Sequence, residues 1–180
     1  VHYLTTSQKK IISEADYQGY YWNPSQGELD AASLEGVDAI IHLAGASIAQ
    51  KWSPKNKQLI KDSRIKSAQL LYDALVRFRK AASPAGRSGN STATRIITAS
   101  AIGCYPSSPT KLYNEKYPGY AAGFLGDVVK EWEEAVMQFQ QLDIATTFIR
   151  TGIVLDKKEG ALPQMATPVR YFAGAPLGSG

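Results

Sequence analysis

At 180 residues, with 44% hydrophobic and 20% charged residues, the chain has the material for one packed domain or most of one. The net charge of +4 is scattered rather than striped, which excludes the basic face of a nucleic-acid binder, and no apolar run approaches the ~20 residues a membrane helix needs. A single cysteine, Cys104, excludes an internal disulfide framework and suits a reducing, cytoplasmic compartment; with two histidines far from it and from each other, no metal-ligand spacing exists.

Val1 to Thr6 reads as a short strand that starts without an initiator Met, and the chain stops in a turn at Leu177 to Gly180. It therefore reads as a piece of a longer protein. Ser7 to Ser13 is a polar connection carrying Lys9 and Lys10. Tyr20 to Trp22 predicts a second strand, ended by Asn23-Pro24 and a turn at Ser25 to Gly27. Ala31 to Gly36 predicts a short helical turn closed by its glycine. Asp38 to Leu43 then predicts a strand buried on both faces, because its apolar residues are consecutive rather than alternating.

Ser53-Pro54 is a helix start, a hydroxyl N-cap followed by proline at the first helical position. The spacing of Leu59, Ile60, Ala68, Leu71, Ala74, Leu75 and Phe78 predicts a long helix over 54–79 with a lysine-rich solvated face. Residues 81–94 are rich in Ala, Ser and Gly, the composition of a flexible loop or insertion. Arg95 to Ser100 predicts another buried strand, followed by a proline-containing loop from Pro106 to Pro118. Leu125, Val128, Val129, Trp132, Val136 and Phe139 make one apolar stripe of a second long helix, and Ile144 to Arg150 predicts a further strand. Alternating strands and helices at these lengths imply a mostly parallel α/β sheet.

Three strands end in small or hydroxyl residues, Ala44-Gly45, Ala99-Ser100 and Thr151-Gly152. In a parallel sheet such ends share one edge, where an extended ligand can approach the backbone. The surrounding residues leave several readings open. His42 fits a satisfied core histidine or a catalyst; Ser100 fits tight packing or substrate binding; Trp132-Glu133-Glu134 fits helix packing and surface charge or a site; and no positive partner beside Cys104 is evident.

His42-Leu-Ala-Gly45, Thr98-Ala-Ser100 with Ala101-Ile-Gly103-Cys-Tyr105, and Arg150-Thr-Gly152-Ile-Val154 resemble the extended short-chain dehydrogenase/reductase superfamily. More narrowly, with Trp22-Asn-Pro24, Lys51-Trp52, Ser63-Arg64 and Trp132-Glu-Glu134, the chain is similar to its atypical epimerase/dehydratase branch along nearly its whole length. The resemblance implies a Rossmann-like, doubly wound, mostly parallel sheet that is incomplete here. The first strand–helix unit with its glycine-rich phosphate turn would precede Val1, and a C-terminal substrate region would follow Gly180. Loss of the first strand implies a gap in the middle of the sheet.

The resemblance also implies an NAD or NADP site and a small carbonyl or nucleotide-sugar-like substrate. Thr5 and Thr6 would lie by the adenosine ribose, Leu43, Ala44 and Gly45 by the ribose and pyrophosphate, and Ala99 beside them. Arg64 would support the site from behind, and Ser100 would hydrogen-bond the substrate oxygen. Thr6 and Ser7, followed by Lys9 and Lys10, lean slightly towards NADP. A homodimer through the two long helices is an analogy with the superfamily. The superfamily's Tyr-x-x-x-Lys proton relay departs: no Tyr has a Lys four positions later, and the register places Leu125 and Val129 there. Tyr105, Tyr113 and Tyr120 are loop candidates to replace it, and spacing selects none. The alternative is a dinucleotide-binding or redox-sensing protein without catalysis.

Overall fold

A computed structural model describes residues 1–82 and 93–175. The expected loop over 81–94 falls mostly outside the described residues. The chain forms two compact units, Val1–Arg150 and Thr151–Gly180.

In the first unit, β1 (His2–Thr5) pairs in parallel with β2 (Gln18–Asn23), and β2 turns back antiparallel onto the two-residue β3 (Glu28–Leu29). The connection after β1 contains a short 3-10 turn, Gln8–Lys10. A second, Ala31–Leu34, is capped by Asp30, whose carboxylate accepts from the Ala32 N–H at 3.0 Å, and it ends before Gly36 at φ 65°.

A second three-stranded sheet has the order β4 (Ala39–His42), β5 (Arg95–Ala101), β6 (Ala145–Thr151). β4 and β5 are parallel, with Ile40 level with Ile96 and His42 level with Thr98. The parallel pairing requires a crossover, and α1 (Pro54–Ala82) supplies it. As its sequence predicts, α1 opens on Ser53, whose hydroxyl accepts from the Asn56 N–H at 3.3 Å. The helix α2 (Phe124–Met137) lies between β5 and β6 in the chain and packs on α1.

The core is where the two periodicities meet. Leu71 and Leu75 of α1, Ile96 of β5, Trp132 and Val136 of α2, and Phe139 just beyond it are buried together. Lys61 of α1 pairs with Glu131 of α2 at 2.6 Å, and Arg79 donates to the carbonyls of Leu142 and Ala93, tying the far end of α1 to the start of β5.

One expectation is corrected. The strand at Asp38 to Leu43 is not buried on both faces: Ile41 is 68% and Leu43 70% exposed, while His42 is buried. The exposed side chains alternate with more buried ones, the pattern of a strand packed on one face and uncovered on the other among the described residues. β4 is an edge strand of its sheet and β1 an edge strand of the other, and between them lies a cleft of about 410 Å³ lined by residues such as Leu4, Trp22, Leu34, Ile40 and Leu71.

The second unit holds an antiparallel bridge between Leu155 and Gly160 and then α3 (Ala161–Arg170), a helix the sequence pattern did not announce. Pro163 and Pro168 mask its periodicity; the Thr167 hydroxyl donates to the Pro163 carbonyl at 2.7 Å. Among the described residues no helix is long and apolar enough to cross a membrane.

Candidate active site

The loop after β4 is made of small residues and clamped from α1. The Ala46 N–H donates to the Ser63 hydroxyl at 2.9 Å, and Arg64 Nη1 donates to the carbonyls of Ala46 at 3.1 Å and Ile60 at 2.9 Å. A Cβ at Gly45 would stand 3.0 Å from the Arg64 guanidinium carbon, so the absence of a side chain is what lets the guanidinium lie against the turn. On its other side Arg64 sits 5.1 Å from the Trp132 ring, a cation–π contact. Burial holds the Arg64 pKa below its ordinary value. Arg64 thus supports the Ala44–Gly45 turn directly.

The parallel register matches His42 with Thr98, an offset that brings Ala44 level with Ser100 when carried two residues further. Both stretches of small residues thus follow the same end of the paired segment. Ser100 is buried, and its hydroxyl donates to Glu133 Oε1 at 2.5 Å. Glu133 is itself only 4% exposed. Its carboxylate also accepts from the Tyr120 hydroxyl at 2.7 Å and from both prongs of Arg150, Nε at 3.0 Å and Nη2 at 2.8 Å. Arg150 Nη1 continues to the Tyr105 hydroxyl at 3.1 Å.

Burial alone would raise the Glu133 carboxyl, but hydrogen bonds from Arg150, Ser100 and Tyr120 outweigh it and hold the group below the usual carboxylate range. The hydrogen-bonded carboxylate raises the Arg150 pKa in turn. Burial, then the hydrogen bond to Glu133, pushes Tyr120 up to about 12. The site holds an anionic carboxylate, a cation and a phenol that keeps its proton. Beside it Tyr105 stacks on Tyr113 at 5.6 Å, with Tyr117 edge-on to both.

The loop that carries Tyr120 is set by two backbone contacts. The Ala121 N–H donates to the Cys104 carbonyl at 2.6 Å, and the Ala121 carbonyl lies where a Cβ of Gly126 would be. Glycine in the first turn of α2 is thus a requirement of close approach. Cys104 is fully buried, and burial pushes its thiol up, so it is not a poised nucleophile.

Glu133 corrects the surface-charge reading of Trp132-Glu133-Glu134: Glu134 is exposed, but Glu133 points inward. The signal was available, since Glu133 stands four residues after Val129 and three before Val136, on the apolar stripe. Tyr120 was one of three loop tyrosines the sequence offered, with no spacing to select it, and Arg150 had no such signal. His42 is a satisfied core histidine. Its Nε2 lies 2.9 Å from the Ser67 hydroxyl, which itself donates to the Arg64 carbonyl, so Nε2 carries the proton. The Nδ1 lies 3.1 Å from the Thr98 hydroxyl, which also donates to the Ala99 carbonyl at 3.1 Å. Burial lowers the His42 pKa to about 4.

Of the remaining candidates, Thr5 ends β1 half-buried, its hydroxyl accepting from the Ser7 N–H at 3.2 Å, and Thr6 is exposed. Ala99 is partly buried on β5 against the core. Leu43, Ala44, Gly45, Arg64, Ala99 and Ser100 are brought together by β4, β5 and α1, whereas Thr5 and Thr6 stand on the other sheet. Among the described residues no cluster of three His, Cys, Asp or Glu could hold a metal ion.

No family model matches the chain. It is 36% identical to an epimerase family protein of Staphylococcus aureus over 146 residues, which is 81% of this chain and 45% of the relative. An epimerase family protein of Staphylococcus haemolyticus is 35% identical over 149 residues, 83% of this chain and 46% of its own. Among solved structures, a human epimerase family protein with NADPH superposes with a TM-score of 0.68 at 25% identity, covering 98% of this chain and 53% of that one. A UDP-glucuronic acid 4-epimerase from Bacillus cereus in complex with NAD reaches 0.60 at 16% identity, covering 85% and 44%, and supports the fold alone. The chain spans about half the length of the relatives it matches, and it is a homologue of the epimerase family, the extended short-chain dehydrogenase/reductase proteins of NAD-dependent epimerase/dehydratase type.

Proposed function

We propose that the whole protein is an NAD(P)-dependent oxidoreductase or epimerase-like enzyme acting on a small carbonyl or nucleotide-sugar-like substrate, in a completed doubly wound sheet. The observation that carries this reading is the juxtaposition of the Ala44–Gly45 turn with Ser100 and the Glu133 network at the ends of neighbouring parallel strands. That edge is where open α/β sheets bind ligands.

The residues present fit a dinucleotide on one side. Leu43 and Gly45 are exposed, Ala44 is partly so, and the turn they form is small and rigidly backed by Arg64 and Ser63. They would lie by the ribose and pyrophosphate of the cofactor, and Thr5 and Thr6 by the adenosine ribose. Lys9 and Lys10, exposed just after β1, favour the extra phosphate of NADP. When bound, the cofactor supplies hydride chemistry. The chain's own residues orient the substrate and hold a proton at the Tyr120 oxygen.

A second reading has its own observation. Ser100 is 2% exposed and its hydroxyl is engaged by Glu133, which suits a dinucleotide-binding protein that does no chemistry. Calorimetry of NADPH and NADH on the full-length protein is the first test. Micromolar affinity for one of them supports the cleft and identifies the cofactor; no binding of either by folded protein rejects both readings. Consumption of NADPH with a carbonyl substrate separates enzyme from binder.

A further inference from the structure

Four tyrosines lie near the end of β5, and their contacts separate them; Tyr117 packs edge-on to the rings of Tyr105 and Tyr113. The Tyr105 hydroxyl accepts from Arg150, and Tyr113 stacks on the Tyr105 ring. Tyr120 is the one whose hydroxyl reaches Glu133, at 2.7 Å, while Ser100 occupies the other oxygen of the same carboxylate at 2.5 Å. Two hydroxyls are thus held across one carboxylate, and they differ in access: Ser100 is buried and Tyr120 is partly exposed.

From this pairing we propose that Tyr120 is the proton donor to the substrate oxygen, with Glu133 and Ser100 as positioning residues behind it. The inference rests on the NAD(P)-dependent reading above. In the reductive direction the substrate's carbonyl carbon receives the hydride supplied by the reduced nicotinamide, and the carbonyl π pair moves onto oxygen. The Tyr120 O–H bond breaks to protonate that oxygen, giving the alcohol and the oxidised nicotinamide. The tyrosinate takes a proton back from water, which its partial exposure permits. A phenol has one proton, so at transfer the O–H turns from Glu133 to the substrate, and Glu133 keeps the Arg150 fork and the Ser100 hydroxyl.

The groups facing Tyr120 define its chemistry. Glu133 from α2 and Cys104 after β5 oppose its ionisation, and Arg150 from β6 favours it. Tyr120 therefore keeps its proton across the physiological range, and that proton is the one reduction of a carbonyl consumes. The nearby Gly126 contact fixes the loop one residue away, so the phenol is not free to drift.

The test uses the full-length protein, NADP⁺ and NADPH as probes, and 9,10-phenanthrenequinone as a generic carbonyl. Tyr120 ionisation is read as the tyrosinate ultraviolet absorbance of the wild type minus that of Tyr120→Phe. With the phenol beside the nicotinamide, NADP⁺ shifts this titration to lower pH and NADPH does not. Glu133→Gln, which removes a charge and an acceptor, lowers it further. Tyr120→Phe binds NADP⁺ within about twofold of wild type but loses ~100-fold or more in kcat for the quinone, and Tyr113→Phe retains activity. Cofactor binding with a Tyr120 titration that NADP⁺ leaves unmoved overturns the proposal, whether or not the quinone is reduced. Failure of the folded protein to bind either cofactor rejects the parent reading, and this inference with it.

Discussion

Arg150 forks onto Glu133: Nε meets Oε1 at 3.0 Å and Nη2 meets Oε2 at 2.8 Å, with the arginine 21% and the glutamate 5% exposed. Two parallel charge-assisted bonds fix the plane of the carboxylate, and that plane aims its remaining lone pairs at Ser100 and Tyr120. A strand and a helix are thereby locked at the point where the candidate site is built.

Breaking this fork leaves a buried charge without its partner. Glu133→Ala and Arg150→Ala are each expected to cost about 3–5 kcal/mol. The double replacement Glu133→Leu with Arg150→Met recovers much of that loss, because two apolar side chains need no desolvated partner. Urea unfolding of the three variants measures it; equal losses in the double and single variants would contradict the account.

Acid destabilisation follows from two groups of the same sign. His42 has its folded pKa lowered from 6.5 to about 4, so its contribution is complete above pH 6.5 and is lost as the pH falls towards 4, where the unfolded chain is protonated and the native one is not. The shift is worth about 3 kcal/mol at most. Glu133, also lowered, contributes stability above the ordinary carboxylate pKa and loses it as pH falls through its own lower value. His42→Gln flattens the segment between pH 6.5 and 4 in a plot of unfolding free energy against pH; an unchanged slope there would count against a neutral buried imidazole.

Two isoleucines on neighbouring strands should respond differently to the same change. Ile96 is fully buried, and Ile96→Ala is expected to cost about 2–5 kcal/mol. Ile41, 68% exposed, should lose under ~1 kcal/mol on the same substitution in this chain. Thermal or urea unfolding of the pair checks whether the side of β4 facing solvent carries the core.

Gly126→Ala adds a methyl group where the Ala121 carbonyl now lies. The backbone must move, and with it Tyr120. The expected outcome is a loss of about 1–3 kcal/mol in stability, as for overpacking, together with a weakened Tyr120–Glu133 contact. A folded variant whose Tyr120 titrates as in wild type would show that the loop is not held by this approach.

Local rules made much of the fold readable. Ser53-Pro54 announced α1, the Leu125 to Phe139 stripe announced α2, and the consecutive apolar residues of Arg95 to Ser100 announced β5, because capping and periodicity act within a few residues. β4 ends at His42, two residues before Ala44, and β5 runs to Ala101, one residue past Ser100. The partners of Glu133 lie 33, 13 and 17 residues away in the chain, at Ser100, Tyr120 and Arg150. No local pattern encodes such separations, so a glutamate that by composition belonged to the surface became the buried centre of a site. Ile41 failed in the opposite direction. Its hydrophobicity marked a core strand, but whether a side chain is covered depends on what packs on that face of the sheet. Sequence determined which segments are strands and helices and which ends are small; tertiary structure decided which side chains face one another, because burial and hydrogen bonding are settled by neighbours in space rather than along the chain.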